Sequence, residues 1–309
     1  MDGNRTERRL GGPDGSTLLG FLSVIGAATV LFRQGREVEL RWTFTDGQWQ
    51  AHLRGRLPDG DMELVDVLFA GLEKDLRAHP LYFTCLPDME RRAAAACFPA
   101  AERRPVCLEG TGPVLATTTA LTPWYQTVRR DYWKGVLERT LRRTTPAHLA
   151  RTLYTCWDFG DPIKGMGLRL SPVEDRRHAR QWHAPTNDPS RAVWGAMLGA
   201  NRLALESYPW WETMADGEEL AQVGYQRWEG GWRWTWPLWV DWLELPALRT
   251  VLSLSTLQTP APSPALCEEW AALGLGAVFR VRRFLQGKTL NFTPPECLFL
   301  LPPAMTSAD

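Results

Sequence analysis

An excess of positive charge, the usual mark of a free-standing nucleic-acid binder, is missing here: 35 Lys and Arg balance 35 Asp and Glu over 309 residues. That balance argues against a lone nucleic-acid binder, but it leaves room for a subunit with a local basic face inside a larger complex. Paired cysteines are missing too. The six cysteines (Cys85, Cys97, Cys107, Cys156, Cys267 and Cys297) show no CxxC spacing, so neither a zinc site nor a disulfide framework is suggested. They suit a reduced compartment, as small buried hydrophobes. No apolar run reaches membrane length. The longest, Leu18 to Phe32, is about 15 residues, contains Ser23, Gly26 and Thr29, and is wrongly placed for a signal peptide. The expectation is a soluble, cytoplasmic protein with no membrane partner. No repeat of fixed period and no low-complexity segment occurs.

Catalytic signatures are equally scarce. The chain contains no GxSxG, HExxH, GxxxxGK[ST] or GxGxxG. Asp158-Phe159-Gly160 spells DFG, but without an HRD loop or a VAIK strand it does not indicate a kinase. Glu174, Asp175 and His178 could together hold a divalent metal, as in a nuclease. Three arginines crowd that cluster and would weaken metal binding, and an acid at a helix start followed by Arg usually serves as a cap and an ion pair. The expectation is a non-catalytic protein with no metal and no cofactor; the alternatives are a metal-dependent nuclease on those three residues or a protein-only scaffold.

Tryptophan is abundant. There are 16, eight of them between Trp210 and Trp242. Such a cluster fills a core or a subunit contact more readily than it forms a stacking platform. Periodicity gives an α+β protein, mostly helical with two or three antiparallel hairpins. Residues 1–120 make an N-terminal α/β part and 121–309 a helical part, unless the two are one domain. Ser16 or Thr17 caps a helix that is apolar all round and ends at Gly35. Val38, Leu40, Trp42 and Phe44 alternate toward an Asp46-Gly47 turn, and Trp49, Ala51 and Leu53 return. Asp61 to His79 is an amphipathic helix. Helices follow from Thr122-Pro123, with a basic face, and from Thr145-Pro146 to about Trp157. Hairpins follow near Gly230-Gly231 and Gln286-Gly287, with helices from Pro246 and Pro264 between them.

The central stretch, Ser171 to Pro209, carries the densest signals. Ser171, Pro172 and Glu174 read as a capping box that opens a cationic helix with Arg176, Arg177, His178 and Arg180. A second helix, from Ser190 to about Ser207, has Val193, Trp194, Met197, Leu198, Ala204 and Leu205 on its apolar face. Asn201 lies on that face and must find hydrogen-bond partners. Asn201 and Arg202 could grip a base edge or a phosphate, or Asn201 could simply lock the packing. In the last hairpin Arg280 and Arg282 share a face and Arg283 takes the other, with Lys288 and Asn291 beyond the turn. That is either a phosphate-tracking surface or an edge strand protected by charge.

Several separated pieces are similar to one family. LLGFLSVIGA, SPVEDRRHARQW, GANRLAL and GAVFRVRRFLQGKTLNFTP occur here in the order found in large-subunit-like proteins of type I-G (formerly I-U) CRISPR systems. The resemblance touches about a quarter of the residues and runs from end to end. It implies a subunit of a Cascade complex in which guide RNA pairs with target DNA. Its partners would be the backbone and guide-end-capping subunits and a helicase-nuclease recruited after target binding. Such a subunit would recognise a short target-flanking motif, while base pairing reads the sequence. The matched pieces mark Arg176, Arg177, Asn201, Arg202, Arg282, Arg283, Lys288 and Asn291. This chain is shorter than the larger members, so a fused small-subunit portion is not expected in it.

Overall fold

In the computed structural model, strand β1 (Thr6–Leu10) leads into helix α1 (Leu18–Arg33), on which the rest of the chain is assembled. The structure describes residues 5–74, 104–108, 112–116, 139–161, 168–174, 196–211, 213–216, 219–228, 231–286 and 289–301. Thr17 caps α1, its side-chain oxygen accepting from the Gly20 amide. Gly35, at φ 78°, sits in the left-handed region just past the helix end. Every residue from Leu18 to Leu31 is buried. Within that run the Ser23 and Thr29 hydroxyls donate back to the carbonyls of Gly20 and Ile25, so neither is left unpaired. A helix apolar on all sides needs cover on all sides.

One cover is a sheet. β2 (Val38–Thr45) and β3 (Gln48–Gly55) form the expected hairpin, and Asp46 and Gly47 both take positive φ (55° and 79°) at its turn. β1 pairs antiparallel with β3, and β3 with β2. β1 and β2 therefore run parallel with β3 between them, a split βαβ unit with α1 as its crossover. Phe44, expected to face inward, is 48% exposed beside the turn and packs at a tilt against Trp49 instead. α2 (Asp61–Glu73) buries Leu64, Val65, Leu68 and Leu72; the rest of the expected span to His79 lies beyond the described residues.

After a small antiparallel pair, β4 (Arg104–Leu108) with β5 (Gly112–Ala116), the second cover is helical: α3 (Pro146–Tyr154) and α4 (Leu198–Glu206). The helices meet through glycines. A methyl group on Gly26 would lie 1.7 Å from the Leu203 carbonyl oxygen, and one on Gly199 would lie 2.4 Å from that of His148. Of the helix expected from Thr122-Pro123 only the last residues, 139–143, are described, and they are helical. The cap expected at Ser190 falls outside the described residues, and the helix expected from there begins instead at Leu198, because Ala196 is bridged to Asp161. Where the sequence suggested a capped helix at Ser171, the described chain makes a short 3₁₀ turn, Pro172–Glu174.

The third cover is a sheet of seven antiparallel strands: β6 (Thr213–Asp216), β7 (Glu219–Gln222), β8 (Tyr225–Trp228), β9 (Gly231–Trp239), β11 (Leu275–Gln286), β12 (Thr289–Phe292) and β13 (Glu296–Leu300). β11 is central. β9 lies along one side, and β13 and β12 lie along the other. Trp234, Trp236 and Trp239 are buried between this sheet and α1, and Phe21 contacts Trp42, Trp211, Trp236 and Trp239 at once. Indole N–H groups tie distant elements together: Trp236 donates to the Gly15 carbonyl at 2.9 Å and Trp239 to that of Leu40 at 2.7 Å. β10 (Leu243–Glu244) then crosses to pair with β2. α5 (Leu248–Leu252) and α6 (Pro264–Ala272) cover the far side; Ser263 caps α6. One hydrophobic cluster draws on both sides of position 120. The class is mixed α+β; the expected helical majority is not confirmed. No helix among the described residues is long and apolar enough to cross a membrane.

Candidate nucleic-acid interface

Of the residues singled out in the sequence, Arg176, Arg177, His178, Arg180 and Lys288 lie outside the described residues, as does the Asn291 side chain. Asn201 and Arg202 are 0% and 1% exposed. A side chain sealed to that degree has no surface to offer a base or a phosphate, so the nucleic-acid role read for this pair gives way to packing. Asn201 Oδ1 accepts from the Leu168 amide at 2.7 Å, while its Nδ2 donates to the Met197 carbonyl and to Glu174. Glu174 accordingly turns its carboxyl inward. Burial pushes its pKa up to about 7, although the Asn201 amide, the Met197 and Arg169 N–H groups and the Arg169 charge all pull it down. Arg202 forms a buried ion pair with Glu206 one turn on and donates to the Leu72 carbonyl; Arg33 holds the other Glu206 oxygen.

At the start of α4, Asp161 Oδ2 accepts from the Leu198 amide at 2.6 Å, and Oδ1 takes Arg151 at 2.5 Å. Neither this cluster nor Glu174 gathers three metal-ligating side chains among the described residues.

The C-terminal arginines are a different case. Arg280 and Arg282 share one face of β11, as the alternation predicts, and Arg283 lies on the other, donating to the Tyr225 hydroxyl at 2.9 Å. β11 is not an edge strand, so these charges do not serve to protect an edge. Arg280 is 3% exposed. Its guanidinium donates to Thr235 Oγ1 and to the carbonyls of Leu257, Thr259 and Pro260. Burial lowers its pKa to about 10; Glu296 acts against that shift and Arg233 adds to it. Arg280 is thus sealed under the 257–260 loop, a support for the face and no longer a contact residue in its own right.

Two residues away, Arg282 is exposed and stands directly across from Arg233 of β9, whose next neighbour on β8 is Gln226. Thr293 flanks Arg282 on the opposite side, its N–H and hydroxyl bonded to the Arg282 backbone. Like charges facing each other across a ladder are unfavourable, and among the described residues no carboxylate pairs with either guanidinium. Arg233 and Arg280 both lie against the half-buried Trp228 ring, at 4.9 and 4.3 Å from its centroid.

A second arginine–tryptophan group provides a contrast. Arg41 and Arg54 lie 4.4 and 4.2 Å from the centroid of Trp242 on the outer face of the smaller sheet. There each arginine has an acid: Arg41 meets Glu7 at 3.2 Å and Arg54 meets Glu39 at 2.6 Å. That face is internally neutralised; the Arg233–Arg282 face is not. No family model, curated protein or solved structure matches this chain. The site rests on its own geometry.

Sequence reasoning missed Arg233, Gln226 and Trp228. The alternation of WEGGWRWTW placed Arg233 on a strand, but only the pairing of β9 with β11 sets it beside Arg282. The tryptophan-rich segment is expected to fill a core or a subunit contact. Trp211, Trp234 and Trp236 bear that reading out, while Trp228 and Trp242 sit under cations at the surface.

Proposed function

We propose that this protein is a non-catalytic nucleic-acid-binding subunit of an RNA-guided DNA surveillance complex, the large subunit of a type I-G Cascade. The observation that carries the nucleic-acid reading is the uncompensated Arg233–Arg282 pair on central strands of the large sheet. Two neighbouring cations with which no carboxylate pairs among the described residues favour a polyanion. The ordered resemblance of LLGFLSVIGA, SPVEDRRHARQW, GANRLAL and the C-terminal hairpin supplies the kind of complex. Zero net charge suits a subunit with one face on nucleic acid and the others on protein.

The role follows from that placement. Guide RNA pairs with target DNA, and this chain holds the backbone near the flanking motif, so sequence reading is left largely to base pairing. The test is co-purification of the tagged chain with the products of its neighbouring genes and a CRISPR array. A stable assembly carrying a discrete RNA of guide length is expected. A lone, RNA-free monomer under the same conditions overturns the subunit assignment.

A further inference from the structure

We infer that the Arg233–Arg282 face grips the phosphodiester backbone of a nucleic-acid strand without reading its bases. This deepens the nucleic-acid reading above and rests on it. The argument begins with what the face lacks. Base recognition on a sheet needs either a free aromatic face for stacking or polar side chains aimed at base edges. Two aromatics share this face: Trp228, whose ring already carries the guanidiniums of Arg233 and Arg280, and the half-buried Phe284, which offers at most a stacking contact that tolerates any base. Arg280 cannot leave, because four protein oxygens hold it. The Trp228 ring therefore orients cations and is not open to a base.

What remains exposed is Arg282, the outer part of Arg233 and Gln226, with Glu296 of β13 facing the sealed Arg280 beside them. Two neighbouring guanidiniums with a neutral amide beside them match a phosphodiester, whose oxygens accept from a planar fork. The face is also pre-organised. Arg233 is pinned by Trp228, Trp228 is backed by Arg280, and Arg280 is anchored by the 257–260 loop. An anion bridging Arg233 and Arg282 would relieve the cross-strand repulsion that the unoccupied face carries. Arg280 is thus a positioning residue whose charge stays inside.

The experiment is a fluorescence-anisotropy titration of the full chain with labelled oligothymidine, mixed-sequence single-stranded DNA, mixed-sequence RNA and the corresponding duplex DNA, over a range of potassium chloride. Arg233→Gln and Arg282→Gln are compared with wild type, and Arg282→Lys serves as the charge-retaining control. The expected result is a loss of affinity of similar size on every sequence. Each Gln variant should also flatten the plot of log affinity against log salt, by about 0.7 on single strands and about 0.9 on duplex. Arg282→Lys should keep the wild-type slope. The strand type with the tightest wild-type binding identifies the source of the phosphates.

Losses confined to one base composition would overturn the backbone mode and leave the nucleic-acid reading standing. Wild-type binding left unchanged by both Gln variants would overturn this site alone. A wild-type chain that binds none of the strands would overturn both. Unchanged thermal melting of the exposed Arg282→Gln variant separates a lost contact from a lost fold.

Discussion

Replacing Glu174 by Gln should remove a pH-dependent penalty that the native fold carries. The carboxyl is enclosed against α4, accepting from Asn201, and burial raises its pKa from 4.5 to about 7. In the unfolded chain the group ionises at its ordinary value, so as pH rises the unfolded state loses its proton first. A raised folded pKa therefore contributes stability that is complete below about pH 4.5 and gone above about pH 7. At about 1.4 kcal/mol per unit, the span amounts to about 3 kcal/mol. Gln keeps the acceptor for Asn201 and has no charge to desolvate. Urea midpoints measured at a series of pH values should show the wild type weakening through this window and Glu174→Gln weakening much less. The two should coincide at the acid end and differ by up to about 3 kcal/mol at the alkaline end. Parallel curves for the two proteins would refute the placement of this carboxyl in the interior.

Gly26→Ala tests the helix crossing: the added methyl would meet the Leu203 carbonyl at 1.7 Å, so α1 and α4 must separate. A loss of about 3 kcal/mol or more, seen as a lower melting temperature or insoluble expression, is expected; a native melting temperature would contradict the crossing. For the buried pair, Arg202→Met alone should cost about 1.5–3 kcal/mol, because it takes away one of the two guanidiniums on Glu206, which is 2% exposed and keeps Arg33. The double variant Arg202→Met with Glu206→Leu should recover most of that loss in chemical denaturation, and a double variant no better than the single one would mean the pair is not mutually dependent.

Local elements were legible in the sequence because their causes are local. The cap at Ser16 or Thr17, the helix end at Gly35, the Asp46-Gly47 turn, the helix start at Pro264 and the Arg280/Arg282 alternation each depend on a few adjacent residues, and the structure has all of them, with Thr17 as the cap. That Asn201 needs hydrogen-bond partners was legible too, because an amide in an apolar stripe must be satisfied, but the choice between packing and a ligand was not. Its partners were not, since Leu168 and Glu174 arrive on a separate segment of chain. The same gap explains Arg202: only the closure of α2 over it, through the Leu72 carbonyl, seals it away from any ligand.

The sequence by itself determined the mixed α+β class, the buried α1, the hairpins and the presence of basic residues near the C-terminus. Periodicity and turn chemistry act over a single element and are written in consecutive residues. Tertiary structure alone decided which arginines face outward. Arg280 and Arg282 sit on one face of one strand, yet the 257–260 loop folds over the first and leaves the second open. Arg233 reaches Arg282 because β9 is paired with β11 in one register. Strand register and loop placement are set by the packing of the whole core, where a slip of one residue would turn every side chain to the opposite face.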